Sequence, residues 1–426
     1  MSPAHTLCLS LAAAVALALG ACDGDPGSRS TSGAGGVPGD RPGFWFEDGG
    51  ARLRDATGSL GYASGYEPAE ERWTGLRVHD PERAFLEPML LSSGHEPAAF
   101  VLHPDGTLER RWALEDAPNL EALGPRFQHP TQRAWRRVEP LEGGDLLVIH
   151  EGLCLLRLGP DSTIRWRAVP GAHHDLEVDG DTLWALDRAV GAPTEAELRW
   201  RPDAAPLVTR DGLVRVRLSD GEVLARASLT ELPGGEAWEA AVGEALRRAR
   251  RVDIGDTGPG GALRLALDPL HTNAVARLDP SRVAPTLFLR ELGALVDLSD
   301  DLTRIERLRR TPFAGAHDPQ LDPEDGRVLL FDNLGARAVP RSRVLSLDLT
   351  TGDVRTEFEG DDGEPFFSPV CGAVLPLPGG RLLVLESTAG RALQVDRSGR
   401  VLWEFRTPFR IPEEDLVAVL LDMRPL

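Results

Sequence analysis

The chain has 426 residues, enough for one large domain or two ordinary ones. Hydrophobic residues make up 42% of it, which is sufficient for a buried core and excludes wholesale disorder. The formal net charge is −19, and no concentrated basic patch offsets it, so nucleic acid is not an expected partner.

The first predicted element is an export signal with a lipid-attachment site. Leu7–Ala21 is apolar and uncharged but short for a transmembrane span, so residues 1–21 are predicted as a signal peptide. The stretch ends in "LGAC", which resembles a bacterial lipoprotein box and predicts lipidation of Cys22. A plain cleaved signal is the alternative. The expected location is the periplasmic side of a bacterial membrane, with the lipid anchor as the membrane contact.

A tether and a short segment follow the lipid-attachment site. Residues 22–43 are rich in Gly, Ser, Pro and Asp, which predicts a flexible tether. Residues 44–74 form a short N-terminal segment before the repetitive part of the chain. Two cysteines remain, Cys154 and Cys371, and two buried thiols are favoured over a disulfide between such distant positions.

From Gly75 onward, short β-prone runs alternate with Gly, Asp and Pro turns. "LRLGPDSTIRWRAV" and "LQVDRSGRVLWEF" are two copies of a recurring strand-turn-strand phrase. Degenerate repeats of roughly 45–60 residues, each with about four strands, predict an all-β β-propeller. The propeller is predicted over residues 75–410 with about six blades, and residues 411–426 are predicted as a C-terminal tail.

One stretch departs from the strand-and-turn pattern. Gly234–Arg251 is rich in Ala, Glu and Arg, and its apolar residues recur at helical spacing. It predicts a short helical insertion between two blades.

Four histidines precede or open candidate inner strands: His173, His174, His271 and His317. Equivalent positions of successive blades face the same axis, so these imidazoles are predicted to meet there. Structural histidines, a metal site built with a nearby carboxylate, and a catalytic set all remain open. The aspartates that follow His174 and His317 are expected to cap turns or to orient imidazole rings.

A family resemblance rests on motifs in a fixed order: "GDLLVIHEG", "GAHHDLEV", "LHTNAV", "LFLRELGALVDLS", "HDPQL", "LLFDN" and "PFFSPVCG". Together they resemble the bacterial arylsulfotransferase family, over nearly the whole predicted globular part. That family comprises periplasmic six-bladed propellers. Its members move a sulfuryl group between phenols through a transiently sulfated histidine, without the soluble nucleotide sulfate donor. The resemblance implies a phenolic sulfate donor, a phenol acceptor and no cofactor.

The resemblance also implies a role for each matching residue. His317 of "HDPQL" corresponds to the histidine nucleophile, and His271 and His174 to the supporting imidazoles. His174 is preferred to its neighbour because it precedes an aspartate, as His317 does. Asn273 and Arg290 correspond to polar residues of the sulfate pocket, and His173 and Asp318 are expected beside the substrate.

Two other functions remain open from the sequence. A lipid-tethered propeller that binds or scaffolds without turnover needs no chemistry at the axis. A metal-dependent hydrolase would use the same histidines as ligands, although no metal is predicted here.

Overall fold

The structure is a computed structural model that describes residues 65–68, 73–120, 134–151, 153–203, 207–253, 265–313, 315–335, 341–360, 366–411 and 416–426. The predicted signal peptide, the tether and Cys22 lie outside these residues.

In the described residues, six sheets, each built on four antiparallel strands, surround one axis, so this part of the chain forms a six-bladed β-propeller, as predicted. From the axis outward, blade one contains β30 (Leu420–Pro425), β3 (Met89–Ser93), β4 (Ala98–Leu102) and β5 (Leu108–Ala113). Blade two contains β6 (Trp135–Pro140), β7 (Leu146–His150), β8 (Cys154–Leu158) and β9 (Ile164–Ala168). Blade four contains β16 (Thr272–Ala276), β17 (Thr286–Leu289), β18 (Ala294–Leu298) and β19 (Ile305–Arg310). Blade five contains β20 (His317–Leu321), β21 (Val328–Asp332), β22 (Arg343–Leu347) and β23 (Val354–Phe358).

Blade three is enlarged. Its four propeller strands are β10 (Ala172–Asp179), β11 (Thr182–Gly191), β12 (Val208–Arg217) and β13 (Val223–Ser228). A hairpin of β14 (Arg250–Asp253) and β15 (Leu265–Asp268) extends the sheet, because β15 pairs in parallel with the start of β12. Helix α1 (Glu195–Trp200) joins β11 to β12, and helix α2 (Gly235–Arg248) follows β13. Helix α2 is the insertion that the sequence predicts. No helix in the described parts of the chain is long and apolar enough to cross a membrane.

Strands from both ends of the chain close the ring. Blade six contains β24 (Ala373–Leu377), β25 (Arg381–Glu386), β26 (Arg391–Val395) and β27 (Val401–Arg406), and β2 (Gly75–Val78) adds a fifth, outer strand. The last strand, β30, is the inner strand of blade one, so the end of the predicted tail is part of the propeller instead. A separate small sheet contains β1 (Gly65–Pro68), β28 (Arg410–Ile411) and β29 (Leu416–Ala418).

Among the described residues, six large apolar clusters form most of the core, one at each junction between neighbouring blades, and two small clusters of three residues each lie beside them. Strand β7 shows how one sequence fills two of them. Leu146 and Val148 pack toward blade one, whereas Leu147 and Ile149 pack toward blade three. Alternate side chains of a strand point to opposite faces, so a strand that is buried on both faces is apolar throughout.

Cys154 and Cys371 are both buried and are not joined by a disulfide. Burial raises the pKa of the Cys154 thiol to about 12, which makes it an inert core residue. Cys371 lies near the axis and belongs to the site described next.

Candidate active site

A pocket near the axis brings together most of the predicted residues. Its lining consists of Arg136, His174, His271, Arg290, His317, Val370 and Cys371. The cavity volume is about 30 Å³, and the pocket is partly open to solvent. One water molecule needs roughly 10–15 Å³ of such a cavity. The space therefore suits a small group, such as the head group of a ligand.

The backbone is strained where the chain enters this pocket. Four consecutive blades each place one non-glycine residue in the left-handed region at or near the start of the inner strand: His174 (φ 55°), His271 (φ 46°), Asp318 (φ 51°) and Cys371 (φ 58°). β-bulges interrupt the inner-strand register of blades three, four and five at the same level. Bulges and left-handed residues redirect side chains, and they concentrate at functional sites.

The ring of His317 is held by Asn333, which directly follows β21. His317 Nδ1 lies 2.6 Å from Asn333 Oδ1 and 3.1 Å from the carbonyl oxygen of Gly315. The amide nitrogen of Asn333 donates to the carbonyl oxygens of Ser368 and Cys371, at 2.8 and 2.6 Å. Its oxygen therefore has to face the imidazole, and Nδ1 has to carry the proton. The lone pair of His317 is left on Nε2.

His317 and His174 are neutral near pH 7. Burial, followed by the positive charges of Arg290 and Arg136, holds the pKa of His317 well below its ordinary value. Burial and Arg136 hold the pKa of His174 well below its ordinary value as well. A neutral imidazole with its lone pair on Nε2 is a nucleophile.

His271 forms a close pair with a carboxylate. Its Nδ1 lies 2.6 Å from Asp268 Oδ2, and Thr209 Oγ1 donates to the other oxygen of Asp268 at 2.9 Å. Burial alone would raise the pKa of Asp268, but Arg188 and then His271 hold it well below its ordinary value. The carboxylate is therefore ionised, so His271 can hold a proton on Nε2 while Asp268 stabilises the resulting charge.

His174 is held from behind by two groups. Its Nδ1 lies 2.9 Å from Nδ1 of His173 and 3.2 Å from Oε1 of Glu151, and its ring packs edge-on against His271. Glu151, His173 and His174 are also the only group of three potential metal ligands among the described residues whose ligand atoms all lie within 4.8 Å of one another. Both imidazoles already share a hydrogen bond there, and His173 lies behind the pocket lining instead of in it.

The pocket is electrostatically suited to an anion. Arg136, in a bulge of β6, and Arg290, directly after β17, both contribute guanidiniums to the lining. Arg136 Nη1 donates to Cys371 Sγ at 3.0 Å, and Arg290 Nη1 bonds Glu291 at 2.9 Å. None of the described residues that line the pocket is a carboxylate. Two guanidiniums favour an oxyanion over a metal cation.

Asn273 and Asp318 differ from their predicted positions. The family resemblance implies that Asn273 lines the binding pocket, but its amide donates to the carbonyl oxygen of Ala316 at 2.9 Å and the residue does not line the cavity. Asp318 contacts no histidine. Its two oxygens accept from Gln320 Nε2 at 2.8 Å and from the backbone N–H of Val374 at 2.9 Å.

Asp318 belongs to a set of three aspartates that tie blades together. In blades one, three and five, the inner-strand aspartates Asp422, Asp175 and Asp318 each accept a backbone N–H from the inner strand of the next blade, at 2.9, 3.0 and 2.9 Å. The two residues of the repeated His-Asp pair therefore have different roles. The histidine faces the pocket, and the aspartate joins neighbouring blades below it.

Four residues that line the pocket or contact its imidazoles are not among the predicted ones: Arg136, Glu151, Asp268 and Asn333. Asp268 had a signal, because "DPLH" places a carboxylate three residues before His271. Asn333 ends the "LLFDN" motif, but only the fold shows that its amide meets His317. Arg136 and Glu151 carry no distinguishing pattern.

No protein-family model matches the chain, and neither does any curated protein. Solved structures with a similar fold include a protein of unknown function from Bacteroides caccae, at 10% identity and a TM-score of 0.45, covering 80% of this chain and 98% of that one. Virginiamycin B lyase from Staphylococcus aureus has 10% identity and a TM-score of 0.41, with coverages of 79% and 90%. A putative 6-phosphogluconolactonase from Bacteroides uniformis has 10% identity and a TM-score of 0.41, with coverages of 80% and 99%. Likeness at this level gives no basis for transferring an activity.

Proposed function

We propose that the protein is an aryl-sulfate sulfotransferase of the arylsulfotransferase type, which carries a sulfuryl group on Nε2 of His317 between a phenolic sulfate and a phenol. One observation carries the proposal. Three imidazoles whose Nδ1 atoms are held from behind share a pocket with two guanidiniums. This set combines a neutral nucleophile, a proton carrier and a binding site for sulfate oxygens.

The first step forms the covalent intermediate. The Nε2 lone pair of His317 attacks the sulfur, and the sulfur–oxygen bond to the aryl group breaks. The departing phenolate takes the proton from Nε2 of His271, so a neutral phenol leaves. The guanidiniums of Arg136 and Arg290 bind the sulfuryl oxygens, and Asn333 Oδ1 accepts a hydrogen bond from the Nδ1–H of the sulfated imidazole.

The second step returns the enzyme to its starting state. The acceptor phenol gives its proton to Nε2 of His271, and its oxygen attacks the sulfur. The sulfur–nitrogen bond breaks, and its electron pair returns to Nε2 of His317. Phenols have a pKa of about 10, so the acceptor needs a base and the donor has a tolerable leaving group.

The direct test uses purified protein, p-nitrophenyl sulfate and phenol. Phenyl sulfate should form together with p-nitrophenol, and mass spectrometry of the protein quenched after donor alone should find one sulfuryl group on the peptide that contains His317. Inorganic sulfate as the product would indicate a hydrolase. Donor that binds without turnover would indicate the non-enzymatic alternative. Stoichiometric zinc bound at Glu151, His173 and His174 would favour the metal-dependent alternative.

Asn333→Ala is expected to lower kcat by roughly 10–100-fold with a smaller change in KM. Without Asn333, His317 loses the acceptor that fixes the orientation of its ring and keeps the proton on Nδ1. The matched control is Asn273→Ala, which removes a buried amide of the neighbouring blade that does not touch a pocket imidazole. Steady-state rates of both variants at saturating donor measure the difference. A larger loss in Asn273→Ala than in Asn333→Ala would contradict the assignment of Asn333.

A further inference from the structure

Two of the pocket imidazoles have a buried partner on the side away from the pocket. His174 contacts His173, and His271 contacts Asp268, through Nδ1–Nδ1 and Nδ1–Oδ2 distances of 2.9 and 2.6 Å. The side chains of His173 and Asp268 are 1% and 3% exposed, so neither can reach a substrate in the open part of the pocket. Both partners in turn approach the same pair of charged side chains.

That pair is Arg188 and Asp211, which lie opposite each other on β11 and β12. Arg188 Nε donates to Asp211 Oδ1 at 2.8 Å, and Arg188 Nη2 lies 3.6 Å from Asp268 Oδ2. Asp211 Oδ1 lies 3.7 Å from His173 Nε2, and its other oxygen accepts the backbone N–H of Thr272 at 2.7 Å. We propose that Arg188 and Asp211 form a buried bridge that positions two catalytic imidazoles, His174 through His173 and His271 through Asp268.

Charge explains why this bridge holds its partners in fixed states. Two buried carboxylates, Asp211 and Asp268, share the single guanidinium of Arg188, which orients both side chains. Burial and then Arg188 lower the pKa of His173 to about 4, so this imidazole stays neutral and can share a hydrogen bond with His174. The charged groups that face His173 are Arg188 on β11, Asp211 on β12, Asp268 on β15 and Glu151 after β7.

The bridge also gives the enlarged blade three a role. Arg188 and Asp211 lie where β11 and β12 run past the last pairing with β13, and Asp268 ends the added strand β15. Strands of ordinary blade length would end before these positions. The lengthened strands therefore bring the charged pair behind the imidazoles, and α1 joins their far ends. Arg188 and Asp211 are positioning residues, because they act on the reaction only through His173 and Asp268.

The proposed bridge predicts that substitutions of its two members shift the pKa of His173 in opposite directions. Arg188→Gln removes a positive charge beside His173, so the pKa of that imidazole should rise from about 4 by roughly one pH unit. Asp211→Asn removes a negative charge, so the same pKa should fall. Titration of the histidine side-chain ¹⁵N resonances, assigned with a His173→Gln variant, measures both shifts. Arg188→Lys should keep the wild-type value.

The catalytic part of the test rests on the proposed sulfuryl transfer. Arg188→Gln should lower kcat by about 10–100-fold with a smaller effect on KM, and Arg188→Lys should recover most of that loss. The control Arg217→Gln removes an exposed arginine at the far end of β12 and should change neither quantity. If the wild-type protein transfers no sulfuryl group, the proposed function is wrong. The titration of His173 still tests the bridge in that case. Unchanged titration of His173 in folded Arg188→Gln and Asp211→Asn, with folding checked by circular dichroism, would overturn the bridge.

Discussion

His317→Ala is expected to reduce sulfuryl transfer by at least ~10³-fold and to abolish the covalent intermediate. No other imidazole in the pocket combines the same features. His317 has Nδ1 fixed as a donor to Asn333, and burial with two nearby guanidiniums keeps its ring neutral. His271 is paired with a carboxylate and is better suited to carry protons than to carry sulfur. The loss should appear in kcat, because the substituted residue forms the bond.

Two further variants separate the nucleophile from its neighbours. His271→Ala should still collect one sulfuryl group on His317 after donor is added, but more slowly, because the leaving phenolate lacks its proton source. His103→Ala is the matched surface control, since that side chain is 37% exposed and contacts the exposed Glu109. Mass spectrometry of the quenched proteins locates the group. A sulfuryl adduct that persists in His317→Ala, at an unchanged rate of transfer, would contradict the assignment.

The propeller can be predicted from sequence because most of its paired strands follow one another in the chain. Each blade consists of neighbouring strands joined by short turns, and the Asp-Gly and Ser-Gly signals mark those turns. The continuous apolar run of β7 already indicates burial on two faces, which the clusters on both sides of blade two confirm. The closing strand β30 has no such signal. It pairs with β3, from the other end of the chain, so its role depends on ring closure alone.

The pocket is predictable only in part, for a related reason. His174, His271 and His317 recur at similar places in the blades, and this repetition predicts that they converge. Their partners do not repeat. The imidazoles are held by an amide in one blade, a carboxylate in another, and a glutamate with a second histidine in a third. Arg136 enters the pocket through a β-bulge, whose extra residue is not marked in the sequence.

The same limit explains Asp318. A carboxylate next to a histidine in sequence suggests that it orients the ring, but consecutive side chains of a strand point to opposite sides. In the structure the pair is separated, and Asp318 meets the backbone of Val374. Burial raises its pKa to about 7, which fits a carboxylate among other acids near the axis. Sequence adjacency therefore predicted the right residues near the axis but the wrong partner for the imidazole.

Arg137→Met is expected to cost about 3–5 kcal/mol of unfolding free energy at pH 8, because it leaves buried carboxylates without their counter-charge. Arg137 is 8% exposed, and its guanidinium lies 3.2 Å from Asp175 and 3.4 Å from Asp422, two of the carboxylates that tie blades together. Its third neighbour is Glu139, at 3.9 Å. Methionine fills similar space without charge. Urea unfolding followed by tryptophan fluorescence measures the loss, and urea leaves the ionic strength unchanged.

The size of this loss should depend on pH in a defined direction. Burial raises the pKa of Asp175 and Asp422, and it raises the pKa of Glu139 to about 7. Carboxyls with a raised folded-state pKa bind protons more tightly in the folded state than in the unfolded state, so stability falls as pH rises toward 7. Removing Arg137 raises these pKa values further, so the loss should be larger at pH 8 than at pH 6. Arg355→Met, at a side chain that is 63% exposed, should change stability by only about 0.5 kcal/mol at either pH. An equally small, pH-independent effect of Arg137→Met would show that the axial carboxylates do not depend on this guanidinium.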